Sequence, residues 1–108
     1  GVLRSTAGDL IAWTRAWRKK SLLKPATWEM AWARTVAQKN GKPATVGYGL
    51  GFIVAPEAEH AAIGHNGGVN GYVCRVTLYP ADDLTVIVLT NGEMNPDELS
   101  VPIAALYL

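Results

Sequence analysis

Residues 61–90 read AAIGHNGGVNGYVCRVTLYPADDLTVIVLT, and this stretch decides the fold. Runs rich in β-branched residues predict strands at 71–79 and 84–90, and Pro80-Ala81-Asp82-Asp83 predicts the turn between them. A shorter strand is expected at 60–64. Because the connections have hairpin length rather than the length of a crossover helix, we expect these strands to pair antiparallel.

The strand at 84–90 is apolar on both faces, which indicates that helices cover the sheet on each side. Upstream, 48–54 reads YGLGFIV and predicts one more strand, stopped by Pro56. Asn40-Gly41-Lys42-Pro43 has the composition of a loop. The chain therefore carries about four predicted strands in its middle part.

Two helices are predicted before the strands. Thr6 and Asp9 form a capping pattern, and the basic cluster 18–20 closes the first helix. Pro25 is suited to the first position of the second helix, and Gly41 is expected to end it. The apolar faces recur at spacings of three and four: Leu10, Trp13 and Trp17 in the first helix, and Trp28, Ala31, Trp32 and Thr35 in the second.

A last helix is predicted after the strands. Asn95 is its expected N-cap, Pro96 its first residue and Glu98 its third, and Pro102 predicts a kink or a break. The fold class is therefore α+β, an antiparallel sheet packed by helices in a single domain. Its parts are a helical part over 1–41, antiparallel strands over 42–92 and a C-terminal helix over 93–108.

Composition excludes several classes of function. The net charge is +1 and the basic residues are scattered, so we expect no nucleic-acid partner. No apolar run reaches the roughly 18 residues that a membrane span needs. Cys74 is the only cysteine, which excludes an intrachain disulfide, and its place in a strand predicts a buried, inert thiol.

Two patterns resemble binding sites but are interpreted as structural. Gly47-Tyr48-Gly49-Leu50-Gly51 resembles a nucleotide loop, yet it leads into a strand, whereas phosphate-binding loops lead into a helix. We expect these glycines to ease a twisted strand against close neighbours. On one strand, a separation of five residues would send His60 and His65 to opposite faces, which argues against a metal pair.

The run Gly64-His65-Asn66-Gly67-Gly68 is the main candidate site. A lone histidine beside an apolar strand is usually structural. Its glycine neighbours change that interpretation, because each strand glycine costs roughly 0.5–1 kcal/mol relative to alanine. Glycines at the edge of a sheet also leave their backbone N–H groups accessible to a ligand.

Three segments together resemble the C-terminal part of serine β-lactamase-like hydrolases, the group of class C β-lactamases, DD-peptidases and related esterases. They are GVLRSTAGDL at 1–10, YGLGF at 48–52, and GHNGG at 64–68 with Gly71 and Tyr72. The strand ending in VIVLTN at 86–91 and the closing helix also fit this family. The resemblance covers essentially the whole chain and implies a fragment of the β-lactamase/DD-peptidase fold.

The resemblance assigns roles to the candidate site. The family's third motif lies on the sheet strand that lines the cleft, and its His-x-Gly variant falls on His65-Asn66-Gly67. His65 would replace the usual lysine, Asn66 would be a polar neighbour or point away, and Gly67 would leave room for substrate. Gly68 would offer an oxyanion-hole N–H, and Asn70 and Tyr72 would shape the cleft. No cofactor is implied, and a periplasmic or cell-envelope location is compatible with the family.

The family's nucleophile is the serine of Ser-x-x-Lys, and no convincing copy is present. Ser21-Leu22-Leu23-Lys24 matches in letters, but Pro25 directly after it argues against a helix that runs through Lys24. Tyr-x-Asn, the second element, is also absent. We expect the nucleophile upstream of Gly1, the 1–108 segment to be inactive by itself, and an exposed strand edge to favour self-association.

Two functions remain open at this stage. The first is the C-terminal part of a serine acyl hydrolase that forms an acyl-enzyme with a β-lactam, a D-alanyl peptide or a small ester. The second is a non-catalytic α+β binding or interaction module, in which the tryptophans of the first two helices form a contact surface. Helical spacing of aromatic residues favours core packing over a contact surface.

Overall fold

The computed structural model describes residues 3–33, 38–39, 42–43, 46–57 and 59–108. Three helices frame the strands: α1 is Ala7–Arg18, α2 is Pro25–Trp32 and α3 is Asp97–Ala105. The strands are β1 Gln38–Lys39, β2 Lys42–Pro43, β3 Gly47–Tyr48, β4 Ile53–Glu57, β5 His60–Val69, β6 Tyr72–Tyr79 and β7 Leu84–Thr90. No helix of the described ranges is long and apolar enough to cross a bilayer.

The main sheet has five antiparallel strands in the order β3-β4-β5-β6-β7, and β1 and β2 form a separate hairpin. Every neighbouring pair in the main sheet is consecutive in sequence. This confirms the predicted α+β class with an antiparallel sheet.

The sheet is covered by helices on both faces, as the apolar strand at 84–90 predicted. On one face α3 packs over a core formed by Ala62, Tyr79, Val86, Val88 and Ala104. On the other face α1 and α2 pack over Leu78, with Trp17, Trp28 and Ala31 as its buried neighbours. Leu78 and Tyr79 are consecutive residues, so their side chains leave the sheet in opposite directions.

The predicted start of the first helix is confirmed, whereas the predicted end of the second helix is wrong. The Thr6 hydroxyl accepts from the Asp9 N–H at 3.1 Å, which is the predicted cap of α1. The second helix ends at Trp32 rather than at Gly41, and Gln38–Lys39 and Lys42–Pro43 are strands. The predicted roles of Thr35, Asn40 and Gly41 fall outside the described residues.

The last helix begins at Asp97, and the Asn95 side chain accepts from the Asp97 N–H at 3.1 Å. The helix therefore begins one residue later than predicted, and Pro96 is its N-cap instead of Asn95. The helix continues through Pro102, so the predicted break does not occur.

Two strand boundaries were predicted wrongly. Residues 48–54 are divided into β3 and β4 by a turn at 49–52, and Pro56 lies inside β4. Proline is tolerated there because β3 pairs only with Ile53 and Val54, so at Pro56 one side of β4 has no strand partner among the described residues. The strand predicted to end at Gly64 continues to Val69, because the glycine run keeps pairing with β6.

Candidate active site

The second half of β5 forms an open strand edge. β4 pairs with β5 only from His60 to Gly64, whereas β6 pairs with it as far as Val69. Residues 65–69 therefore have β6 on one side and, within the described ranges, no strand on the other. Alternate backbone N–H and C=O groups of such an edge point away from the sheet and can bind a ligand. The predicted His-x-Gly segment lies along this edge.

The His65 side chain is exposed and has a partner at each ring nitrogen. Its Nε2 lies 2.8 Å from the Tyr48 hydroxyl, and its Nδ1 bonds to the Asn66 carbonyl oxygen. The Tyr48 and His65 rings meet edge to face, with centroids 5.6 Å apart. The histidine is therefore oriented by two hydrogen bonds and an aromatic contact.

Asn66 is separated from His65 by the alternation of the strand. His65 lies opposite Val76 and Asn66 lies opposite Arg75, so the two side chains leave opposite faces of the sheet. His65 belongs to the face of α1 and α2, and Asn66 belongs to the face of α3. The structure does not bring their side chains together.

The glycines of this edge differ in how much space a side chain would have at each position. A Cβ at Gly64 would lie 2.0 Å from the Val76 carbonyl oxygen, so close strand packing requires glycine there. A Cβ at Gly67 would lie 3.2 Å from the Cys74 sulfur, which is tight. A Cβ at Gly68 would be 3.6 Å from the nearest side-chain atom, an ordinary contact. Packing among the described residues therefore does not explain Gly68, whereas access to its backbone would.

Asn70 and Tyr72 lie at the far end of the β5–β6 hairpin. Asn70 and Gly71, whose φ is 81°, make the two-residue turn, and Tyr72 is paired with Val69. Along an extended strand, five residues span about 17 Å, so Asn70 is remote from His65. Both side chains are exposed, but the structure does not place them around the histidine.

An open apolar groove of about 590 Å³ begins beside His65 and runs between the sheet and the first two helices. The residues that line it include Trp13, Trp17, Trp28, Leu50, Phe52 and Cys74. Cys74 was predicted to be buried, but it is half-buried because the groove opens above it. Sequence reasoning missed this groove, since the tryptophan spacing predicted a filled core.

The tryptophans divide between core and groove rim. Trp17 and Trp28 are buried, at 5% and 2% exposure, and Trp13 is 48% exposed. The indole N–H groups of Trp17 and Trp28 are buried without a hydrogen-bond acceptor in the described part of the chain. Buried polar groups of folded proteins are nearly always paired, so these two indoles lack the partner that a buried N–H group normally has. The Ser100 hydroxyl of α3 is likewise buried without a partner in the described ranges, so unpaired groups occur on both faces.

A charged cluster on the other face ties the sheet to α3. The Arg75 guanidinium bonds to Glu57 of β4 and to Asp97 of α3, and its Nε donates to Thr77. The Tyr79 hydroxyl donates to Glu57 at 2.6 Å. Burial, together with this bond to a carboxylate, raises the pKa of Tyr79 above its ordinary value. No sequence pattern predicts this cluster, because its members are scattered over 41 positions from Glu57 to Asp97.

The remaining candidates lie apart from His65. His60 bonds to Asp82 at 2.8 Å, on the opposite face from His65 as predicted. Ser21 and Lys24 lie in the connection between α1 and α2, where the serine has no helix to place it beside the lysine. Across the described ranges, no group of three or more His, Cys, Asp or Glu side chains could hold a metal ion.

The fold resembles those of several solved structures. An octameric penicillin-binding protein homologue from Pyrococcus abyssi matches with a TM-score of 0.84 at 22% identity, over 94% of this chain and 24% of its own. A penicillin binding protein from Bacillus halodurans matches with a TM-score of 0.81 at 19% identity, over 94% of this chain and 31% of its own. A D-stereospecific amidohydrolase from Streptomyces sp. matches with a TM-score of 0.75 at 24% identity, over 93% of this chain and 29% of its own.

At these identities the likenesses establish the fold, and the chain spans less than a third of the length of each matched protein. A search of curated protein sequences found no match. The sequence model of the beta-lactamase family matches residues 1–107, which is nearly the whole chain. Together with the five-stranded sheet and its helices, this match shows that the chain belongs to the beta-lactamase family.

Proposed function

We propose that this chain is the C-terminal part of a serine hydrolase and forms one wall of its active site. In the proposed reaction, a serine outside residues 1–108 attacks the acyl carbon of a β-lactam, a D-alanyl peptide or a small ester. The acyl-enzyme is then hydrolysed. The open edge of β5 supports the proposal most strongly, because it places exposed His65 and bare glycine backbone at the mouth of a groove.

The proposed division of labour follows the position of each group along the edge. His65 takes part in the proton network of the nucleophile through Nε2 and the Tyr48 hydroxyl that bonds to it. The N–H of Gly68 donates to the oxygen that becomes negatively charged in the transition state, a contribution of about 2.7–4 kcal/mol in known oxyanion holes. Gly67 leaves room for substrate along the strand, and Asn66 faces the α3 side. Asn70 and Tyr72 contact only a substrate long enough to reach the hairpin end.

The groove has a role in the same proposal. Its apolar lining fits a surface that a further segment of the same protein covers, and so do the indole N–H groups of Trp17 and Trp28, which have no acceptor among the described residues. A segment packed there would lie directly beside His65, where a nucleophile is required. We infer that the isolated 1–108 chain turns over no substrate, because the described residues hold no activated serine next to His65.

The test compares two histidines of one strand in the protein encoded by the complete reading frame. His65→Ala is expected to lower kcat for a chromogenic ester or cephalosporin by about 100-fold or more, the range of a general acid–base group, with the thermal midpoint retained. His60→Ala is the matched control, since His60 lies on the opposite face and bonds to Asp82. Equal activity of the two variants, or turnover by the isolated chain, would contradict the proposal.

A further inference from the structure

We propose that Tyr48 is the positioning residue of His65: it holds the imidazole in one orientation and in one tautomer at the open edge of β5. The inference deepens the proposed function and rests on it for its catalytic meaning. The motif that contains Tyr48, Gly47-Tyr48-Gly49-Leu50-Gly51, was interpreted from the sequence as a twisted strand without a further role.

The tautomer follows from the two partners of the ring. A carbonyl oxygen can only accept a hydrogen bond, so the contact with the Asn66 carbonyl assigns a proton to Nδ1. In the neutral ring Nε2 is then an acceptor, and the Tyr48 hydroxyl, 2.8 Å away, is its donor. The edge-to-face contact of the two rings further limits rotation of the imidazole.

The turn that follows Tyr48 fixes its place. The Gly49 N–H donates to the Phe52 carbonyl at 2.7 Å, and the Leu50 N–H donates to the Ala31 carbonyl at the end of α2 at 2.9 Å. A Cβ at Gly49 would lie 2.1 Å from that same Ala31 oxygen. Glycine is therefore required at 49, because the turn is pressed against α2.

Gly51 completes the turn with a φ of 81°, a conformation that side chains disfavour. β3 then pairs Tyr48 with Ile53, whose other neighbour is Gly64, the residue before His65. The glycines of this motif thus serve to bring one tyrosine to one histidine. This geometry gives the motif a role beyond close packing against α2.

The direct test is the side-chain nitrogen spectrum of His65 in the 108-residue chain. In the wild type we expect a single tautomer with the proton on Nδ1, read from long-range proton–nitrogen correlations. Tyr48→Phe keeps the ring contact and removes the hydroxyl, so the Nε2 resonance should shift and the second tautomer should become visible. Tyr107→Phe, at a tyrosine that is 73% exposed on the C-terminal segment, is the control and should leave the His65 signals unchanged.

A backbone variant tests the same geometry independently. Gly49→Ala should displace the turn and reproduce the spectral change of Tyr48→Phe, whereas Gly92→Ala, where a Cβ meets nothing within 4 Å, should not. A His65 spectrum that is identical in wild type and Tyr48→Phe would overturn the inference. A ring that shows both tautomers in the wild type would overturn it as well.

The complete protein distinguishes this inference from the proposed function. There Tyr48→Phe should lower kcat about 3- to 10-fold with KM retained, the loss expected for one neutral hydrogen bond. If the wild-type complete protein has no hydrolase activity, the proposed function fails, while the spectra still decide whether Tyr48 positions His65. If Tyr48→Phe changes the spectrum but leaves kcat unaltered, the assignment of Tyr48 as a positioning residue for catalysis is wrong.

Discussion

The two faces of the sheet are built to different degrees of completeness. On the α3 face a crevice beside Glu57 and Arg75 holds about 10 Å³, which is close to the minimum for one water, and these two charged groups are paired. On the face of α1 and α2, a groove of about 590 Å³ is lined by aromatic and aliphatic side chains. The α3 face is therefore the more closely packed of the two, although the Ser100 hydroxyl is buried there without a partner in the described part of the chain. The face of α1 and α2 is open, and His65 lies at the border of its groove.

The largest loss of stability is expected from a substitution in the charged cluster of the α3 face. Arg75→Met removes the guanidinium between Glu57 and Asp97, and Glu57 is left as a nearly buried carboxylate at 17% exposure. Loss of one partner of such a pair should lower the free energy of unfolding by about 3 kcal/mol, measured by urea denaturation. Arg18→Met is the control: its ion pair with Asp83, which is 75% exposed, should contribute less than about 1 kcal/mol. Equal losses in the two variants would contradict this account of the α3 face.

A smaller effect distinguishes the two kinds of glycine on β5. Gly64→Ala forces a Cβ to within 2.0 Å of the Val76 carbonyl oxygen, so we expect a loss of about 2 kcal/mol from overpacking. Gly68→Ala meets only ordinary contacts and should change the stability little, while lowering the activity of the complete protein. Thermal unfolding of both variants measures the difference. If Gly68→Ala is as destabilising as Gly64→Ala, Gly68 is a packing residue and its proposed role at the site falls.

Tyr79 provides a pH-dependent test of the α3 face. Tyr79→Phe removes a 2.6 Å hydrogen bond to Glu57 and should cost about 1.5 kcal/mol near neutral pH. Because the pKa of Tyr79 is raised in the folded state, the folded protein keeps this proton above pH about 10 while the unfolded chain loses it.

The sign of that linkage fixes the expected profile. The wild type binds more protons folded than unfolded above pH about 10, so its stability falls as the pH rises through this range. The stability difference between wild type and Tyr79→Phe should therefore shrink from pH 9 to pH 11, measured by urea denaturation at each pH. A difference that is constant or grows with pH would contradict the paired environment of Tyr79.

The smallest change in stability is expected for a substitution in the groove. Its effect should appear in the self-association of the isolated chain. Leu50 is 59% exposed at the groove, so Leu50→Gln should alter the free energy of unfolding by less than about 0.5 kcal/mol. We expect the same substitution to weaken self-association of the isolated chain in sedimentation velocity, because contiguous apolar surface favours association. Leu106→Gln, at an 81% exposed leucine outside the groove, is the control. A wild-type chain that is monomeric at all concentrations would contradict the prediction.

Sequence reasoning predicted what depends on local patterns. Capping chemistry predicted the Thr6 cap. Strand patterns predicted the antiparallel strands at 72–79 and 84–90, and the apolar run of the second strand predicted helices on both faces. The place of His65 on a strand was predicted through the family resemblance, whereas the residue pattern alone ended that strand at Gly64.

The rest depends on contacts between residues distant in sequence. Tyr48 and His65 are 17 positions apart, and no periodicity links them. Strand pairing brings their backbones near each other, and the two side chains meet at the strand edge just beyond Gly64, where the pairing of β4 with β5 ends. The Arg75 cluster likewise needs the register of three strands and α3. The groove escaped prediction because helical spacing identifies an apolar face and does not say what covers it.

The central claim is that residues 65–69 form one wall of an active site whose nucleophile lies elsewhere in the protein. Intact-mass and peptide mass spectrometry of the protein encoded by the complete reading frame, after incubation with a penicillin or an activated ester, tests it most directly. We predict a single acyl adduct on a serine outside residues 1–108, and no adduct on the isolated chain. An adduct on Ser21, or none with either reagent, would contradict the account.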